Sequence, residues 1–371
     1  MTFPELTISG TADERGYAHG ATLLPEIEAT IDYYASIFAK TSAEIFDRAK
    51  HFRKVIADYN PAFCEEIEGI AAGAKIKEPL WIYALNARSE ILALDATIDA
   101  NECTALYFQP TALLGQNWDW GRPLEDLVVL IRIKISENLI IQMLTEPGII
   151  GKIGLNSHGI GTCLNILRIN QALDGVPIHI VLRSILESNN LEGAKLAVRK
   201  SGTGKASNIL IADQDGNYCN VEFAGDESFI LPNKAPFMVH TNHYLGKPIN
   251  PSDDSYMNSL TRLRVAHENA SNLTQFNINE MMAILSDRSD LQFPIWRPYQ
   301  SDNDLREVGS VATIIMDLKA RKLHVRKGNL TDSLIDGGQK SKHAAQDSPA
   351  NDFVIAFNEK TPVQEGPYLS P

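Results

Sequence analysis

The 371-residue chain carries 44% apolar and 22% charged residues, close to globular averages, which excludes a disordered, collagen-like or fibrous protein. Its 34 Lys and Arg stand against 46 Asp and Glu, a formal net charge of −12, and a surface of that sign repels a phosphate backbone, so nucleic acid is not expected as a partner. Cys64, Cys103, Cys163 and Cys219 are too few and too scattered for a disulfide framework, and no pair has metal-ligand spacing.

Glu5, Asp13, Glu14, Arg15 and Glu26 interrupt the first thirty residues, so no signal-peptide core is present there. No run approaches the roughly 18 apolar residues of a membrane span. Free thiols in a reducing, cytoplasmic compartment are the expectation, with no membrane partner. From about residue 12 to residue 99 apolar residues recur at helical spacing, as in Phe52, Val55, Ile56 and Tyr59, then Phe63, Ile67, Ile70, Ala71 and Ala74. Asn60-Pro61 separates two of these helices. Near residue 103 the pattern changes. Residues 127–135, 139–144, 208–212 and 313–317 are short β-rich runs, and Asp215-Gly216 is a hairpin turn signal. Helical spacing returns at 177–188, 191–200, 259–269 and 278–285. Strands and helices in separate blocks predict an α+β architecture with antiparallel sheet covered by helices. Residues 332–347, rich in Ser, Gly, Lys and Gln, read as an exposed loop ahead of a short peripheral tail.

Several familiar motifs fail. Gly202-Thr-Gly-Lys205 looks like the end of a P-loop, but Arg199 stands where its first glycine belongs and Ala206 replaces the magnesium-binding hydroxyl. Gly159-Ile-Gly161 lacks a third glycine, Leu164 being in its place, and reads as a turn. His240 and His243 are three apart with no completing carboxylate set beside them, so no metal is expected. No G-x-S-x-G elbow occurs.

The informative stretch is Asn101-Glu102-Cys103-Thr104-Ala105-Leu106-Tyr107, followed by Gly115-Gln-Asn-Trp-Asp119, where helical pattern gives way to strand. A cysteine at a chain start combines a thiol nucleophile with an α-amino group of pKa about 7.7–8, a usable base near neutrality. By local pattern alone Cys103 reads as an ordinary buried thiol, as do the other three.

A set of blocks separates it from them. Gly16-Tyr-Ala-His-Gly20, Glu65-Glu-Ile-Glu-Gly-Ile-Ala-Ala-Gly73, Asn86-Ala-Arg-Ser-Glu90, Cys103-Thr104, Gly115-Gln-Asn-Trp-Asp119, Thr145-Glu-Pro-Gly-Ile-Ile-Gly-Lys-Ile-Gly-Leu-Asn-Ser157, Gly175-Val-Pro-Ile-His179 with Leu182-Arg183, and His240-Thr-Asn-His243 together resemble the acyl-coenzyme A:6-aminopenicillanic acid acyltransferase (isopenicillin N acyltransferase) family, peptidase family C45. The resemblance runs from about residue 10 to residue 330. It implies the N-terminal nucleophile hydrolase fold, a four-layer αββα sandwich in an α+β class. It also implies a precursor that cuts itself between Glu102 and Cys103, giving a helical segment 1–102 and a nucleophile-bearing segment 103–331 with a peripheral tail at 332–371, all in one structural domain.

The same resemblance implies roles. Cys103 is the nucleophile and its α-amine the base; Asn242 stabilises the oxyanion; Asp119 orients the Cys103 amine or thiol; Thr104 supports. A family arginine aligns with Arg306, or alternatively with Arg297. His240 and His243 take a structural part around Asn242 rather than forming a Cys-His dyad. Glu102 departs from the glycine that precedes the nucleophile in the penicillin enzymes. The reaction implied is acyl transfer through a Cys103 thioester from a small acyl donor, acyl-coenzyme A or an N-acyl amide, to an amine or water, with no cofactor and with the cleaved segment as partner. Amide hydrolysis alone, and an uncleaved non-catalytic binding protein of the same fold, are the competing readings.

Overall fold

The computed structural model describes residues 3–93, 103–167, 169, 172–202, 205–225, 227–232, 235–246, 254–302, 306–328 and 353–356; Glu102, the side chain of Arg306 and residues 329–352 lie outside the described residues. A short strand β1 (Glu5–Ser9) precedes six helices, α1 (Ala12–Thr22), α2 (Leu24–Ile37), α3 (Ser42–Tyr59), α4 (Pro61–Gly73), α5 (Leu80–Asn86) and α6 (Arg88–Leu92). Thr11 and Thr41 each close a capping box, with Glu14 and Glu44 three residues on, satisfying backbone N–H groups that a helix start leaves open. Helices α1 and α4 approach so closely that a Cβ on Gly16 would lie 2.0 Å from the Glu66 carbonyl oxygen, and one on Gly73 2.1 Å from that of Tyr17. Only glycine permits that contact, which explains two of the blocks singled out in the sequence.

Next come β2 (Cys103–Phe108), β3 (Leu113–Gly121), α7 (Leu124–Leu127), β4 (Val129–Lys134), β5 (Ile140–Thr145), β6 (Ile153–Asn156), β7 (Gly161–Ile166), α8 (Ile178–Leu186), α9 (Leu191–Lys200), β8 (Lys205–Ala212), β9 (Tyr218–Gly225), β10 (Glu227–Ile230) and β11 (Phe237–His240). The remainder is α10 (Asp254–Ser271), α11 (Ile278–Leu285), β12 (Gln300–Asp302), β13 (Arg306–Asp317), β14 (Lys322–Lys327) and β15 (Phe353–Ala356). One sheet runs β1-β4-β5-β6-β7-β8-β9-β10. The other runs β11-β2-β3-β13-β14-β15, with β12 beside β13.

The sheets face each other through β2 and β3 against β7; α8 and α9 cover the first sheet, and α10 and α11 the second. This is the expected helix–sheet–sheet–helix stack. Side-chain alternation along β2 serves both interfaces: Cys103, Ala105 and Tyr107 enter the core between the sheets, whereas Leu106 and Phe108 pack with Val265, Met281 and Leu285 beneath the helices. Asp215-Gly216 turns the β8–β9 hairpin as read, with Gly216 at φ 90°. Gly159, at φ 76°, occupies the turn between β6 and β7.

Two features differ from the sequence reading. Helical spacing over the first hundred residues hid β1, whose five residues are too few to set a period. It pairs with β4 in parallel, so the sheets are not wholly antiparallel. In the tail, β15 joins the edge of β14, giving that otherwise open strand edge a partner. No helix among the described residues is long and apolar enough to cross a membrane.

The segment 3–93 is bound to the rest through buried polar contacts. Glu66 of α4 accepts from Arg183 of α8 at 2.7 Å on each oxygen, and its Oε2 also accepts from Arg15 Nη2 of α1 at 2.9 Å. Asn86 donates to the Gly148 carbonyl and accepts from the Ile150 N–H, and Glu90 accepts from the Ile178 N–H at 2.8 Å. His19 Nε2 accepts from the Gly148 N–H at 3.0 Å; burial lowers its pKa to about 4, which keeps that nitrogen free to accept.

Candidate active site

Cys103 is the first residue of β2, paired across the ladder with Trp118 of β3. Its N–H donates to Asn242 Oδ1 at 2.8 Å. Its carbonyl oxygen accepts from Arg262 Nη1 at 2.8 Å and from Asn165 Nδ2 at 3.1 Å. The nucleophile's backbone is therefore fixed from three directions, by the loop after β11, by α10 and by β7.

Arg262 binds this corner together. Besides the Cys103 carbonyl it donates to Thr104 Oγ1 at 2.9 Å and, through Nη2, to Asn242 Oδ1 at 2.9 Å. Both lone pairs of that oxygen are thereby used, which sets the orientation of the Asn242 amide. Its Nδ2 gives one hydrogen to the Ile166 carbonyl at 3.0 Å, and the residue lines the same cavity as Cys103. The Asn242 N–H donates to Ser259 Oγ at 2.7 Å. Ser259 and Arg262 sit three apart on α10, on one helical face.

The two histidines frame Asn242. His240 Nε2 lies 2.8 Å from Glu222 Oε1, and His243 Nδ1 lies 2.8 Å from Ser259 Oγ. Burial lowers the His243 pKa to about 4. Neither ring lines the Cys103 cavity.

Asp119 sits on β3 opposite Ser310 of β13, whose Oγ donates to Asp119 Oδ1 at 2.6 Å. Asp119 Oδ2 is buried without a hydrogen-bond partner among the described residues. Burial raises this carboxyl to about 6, against the opposing pull of Arg297, the Ser310 hydrogen bond and Arg262. Arg306 begins β13 opposite Asp302. Arg297 donates its backbone N–H to Ser310 Oγ at 3.0 Å, so the Arg297 backbone and the Asp119 carboxylate share one hydroxyl.

Cys103, Trp118, Asp119, Trp120, Lys152, Leu164, Ile166, Arg88 and Asn242 line a cavity of about 20 Å³, space for about one water. Wider concavities of about 550 and 670 Å³ lie elsewhere, the first by Leu113 and Phe276 and the second by Lys195 and Asp213, and neither includes Cys103. The charged wall of the small cavity is a cluster around Glu146, which follows β5. Arg88 of α6 reaches Glu146 Oε1 at 2.8 Å, Lys152 binds the same oxygen, and Tyr34 of α2 donates to Oε2. Arg88 stacks over Trp120 and Lys152 over Trp118, the latter with Nζ 3.1 Å from the ring centre.

Arg262, Asn165, Lys152 and Ser310 are absent from the sequence-derived set. Arg262 lies in a helical run in which arginine ordinarily faces solvent, yet it is fully buried. Lys152 lies inside one of the matching blocks, a charged side chain in a run, 145–156, that is buried throughout.

Residues 108–332 match the family profile described as acyl-coenzyme A:6-aminopenicillanic acid acyl-transferase, the match beginning within β2. The 40 kDa form of acyl-coenzyme A:6-aminopenicillanic-acid-acyltransferase of Emericella nidulans is 32% identical over 267 residues, 68% of this chain and 74% of that protein. Among solved structures, a mutant conjugated bile acid hydrolase from Clostridium perfringens aligns with a TM-score of 0.41 at 11% identity, over 70% of this chain and 93% of that one. Penicillin V acylase from Agrobacterium tumefaciens aligns with a TM-score of 0.36 at 11% identity, over 61% and 82%. With more than half its length inside the profile and a 32% identical relative spanned across most of its length, the chain belongs to the acyl-coenzyme A:6-aminopenicillanic acid acyl-transferase family.

Proposed function

We propose that the protein is a cysteine acyltransferase or amidohydrolase that first cuts its own chain before Cys103 and then uses the new N-terminal cysteine as nucleophile. The observation that carries this reading is the treatment of Cys103 itself. Its thiol borders a cavity with space for about one water, while Asn242, Arg262 and Asn165 hold both backbone polar groups of that one residue. An ordinary buried cysteine needs no such framework.

In the cut protein the Asn242 oxygen that now accepts the Cys103 amide N–H would accept from the α-amine, holding its lone pair toward the thiol. The thiol would attack an acyl carbonyl, the second Asn242 N–H would meet the developing oxyanion, and the resulting thioester would pass to an amine or to water. Asp119 and Ser310, on the far side of Trp118, would set the position of β3 and the charge around the amine. The acyl donor in this reading is an acyl-coenzyme A or an N-acyl amide, as the family name suggests.

Incubation with a short acyl-coenzyme A followed by intact mass measurement tests the covalent step. A mass increase equal to the acyl group on a fragment beginning at Cys103, removed by hydroxylamine and absent from Cys103→Ala, is expected; hydrolysis or transfer proceeding with no such adduct on any fragment, even after rapid acid quench, would contradict it. Varying an acceptor amine then separates transfer from hydrolysis, since thioester consumption that never depends on amine identifies water as the acceptor.

A further inference from the structure

Before cleavage the Cys103 nitrogen is an amide. It donates to Asn242 and has no basic lone pair, so the base that the cut enzyme would draw from its own α-amine does not exist at the moment the chain must cut itself. Another group has to take the thiol proton.

Four polar side chains line the cavity beside the thiol: Arg88, Asp119, Lys152 and Asn242. Arginine does not deprotonate in proteins, and an amide is not a base. Asp119 also borders the cavity, but alternation along β3 starts its side chain on the face opposite Trp118, where Ser310 occupies its Oδ1 and Oδ2 has no hydrogen-bond partner among the described residues. Lys152 is on the Cys103 face: its Nζ stands over the ring of Trp118, the cross-strand partner of Cys103. Glu146, with which Lys152 pairs, already has Arg88 and the Tyr34 hydroxyl as partners, so its charge stays compensated when Lys152 is neutral.

We propose that Lys152 is the base of chain cleavage, an inference that rests on the self-cutting reading above. The neutral Lys152 amine takes the Cys103 Sγ proton, and the thiolate attacks the carbonyl carbon of Glu102. As the carbon–nitrogen bond breaks, the departing Cys103 nitrogen takes the proton back from the Lys152 ammonium, leaving a thioester. Water then hydrolyses the thioester to a carboxyl terminus at Glu102 and a free thiol. Lys152 is regenerated, and the α-amine just released serves as base thereafter.

The surroundings favour a neutral amine. Lys152 is faced by Glu146 after β5, Arg88 from α6, Cys103 from β2 and His179 from α8. Burial lowers its pKa to about 7, with Glu146 opposing and Arg88 reinforcing the shift.

The test uses full-length chain made by cell-free synthesis at about pH 5.5 and then shifted stepwise across about pH 6–9, with cleavage followed by intact mass. In the wild type the cleavage rate is expected to rise through about pH 7. Lys152→Gln and Lys152→Arg, checked for folding by thermal melting, are expected to cut at least ~100-fold more slowly at neutral pH, within the usual reach of a general base. Folded Lys152→Arg or Lys152→Gln that cuts at the wild-type rate overturns the assignment and leaves self-cleavage standing. Should neither variant fold, a wild-type rate that stays flat over this range overturns it equally. A wild-type chain that remains at 41.0 kDa at every pH overturns self-cleavage itself.

Discussion

Two buried acids bind the N-terminal helical segment to the sheets, and they are built differently. Glu66 is enclosed by two arginines, Arg15 and Arg183, from α1 and α8. Glu146 has one arginine, one tyrosine and one lysine, and its cluster borders the Cys103 cavity. Arginine's planar fork matches a carboxylate on both oxygens and keeps its charge, whereas a buried lysine shifts readily into the neutral range. The first cluster is therefore a clamp whose protonation is fixed. The second is a clamp with one titratable member, placed where a proton has to move.

The largest expected effect is on the fixed clamp. Glu66→Ala leaves Arg15 buried without its counter-charge and Arg183 with Glu187 alone, and the loss is expected to be about 3–5 kcal/mol, read as a lowered urea midpoint at unchanged slope. Once the chain is cut, the same variant should release the N-terminal fragment on size exclusion. A midpoint close to wild type would show that the α1–α4 packing alone holds the segment.

Asn242→Ala, at the site, should act on rate before stability. Loss of one oxyanion donor is worth about 2.7–4 kcal/mol, or roughly 100- to 1000-fold in kcat, with KM changed far less. Equal losses in kcat and in fraction folded would reduce Asn242 to a structural residue.

Arg262→Lys keeps the charge but loses the fork that joins Cys103, Thr104 and Asn242. A loss of about 1.5–3 kcal/mol is expected from hydrogen bonds to a charged group. As Arg262 is a positioning residue, the fall should appear in kcat with KM near wild type, and Arg262→Gln should fall further.

A last effect, no larger than that of Arg262→Lys, separates the two clusters by pH. Lys152 has a folded pKa of about 7, below its ordinary value, so between these values the unfolded chain binds more protons and stability rises with pH. The Glu66 carboxyl is held below the usual range by Arg183 and Arg15 against the cost of burial; its contribution is present above that range and lost only as the pH falls through the folded value. Wild type should thus gain about 2 kcal/mol between pH 7 and 9, and Lys152→Met should lose that gain while Glu66 variants keep it. Urea titrations at the two pH values decide it.

These contrasts also explain what was legible in the sequence. Residues 139–144 and 191–200 needed only local periodicity, and β5 and α9 lie where it put them. Local periodicity failed where a residue's environment comes from far along the chain. Arg262 is polar in a helical run, and only the arrival of Cys103, Thr104 and Asn242 from two distant elements makes it a buried hub. The matching blocks, by contrast, are halves of long-range contacts: 86–90 clasps 145–152 through Asn86 and Arg88, and Leu182-Arg183 meets Glu65-Glu66 across α8 and α4. They were visible as a family resemblance before any physical reason for them was.

The central claim is that Cys103 is a chain start made by the protein itself. N-terminal sequencing and intact mass of the purified wild-type protein test it most directly. The account predicts two co-eluting fragments, one ending at Glu102 and one beginning at Cys103, and a single uncut chain for Cys103→Ala. A wild-type protein found only at 41.0 kDa, indistinguishable from Cys103→Ala, would contradict it.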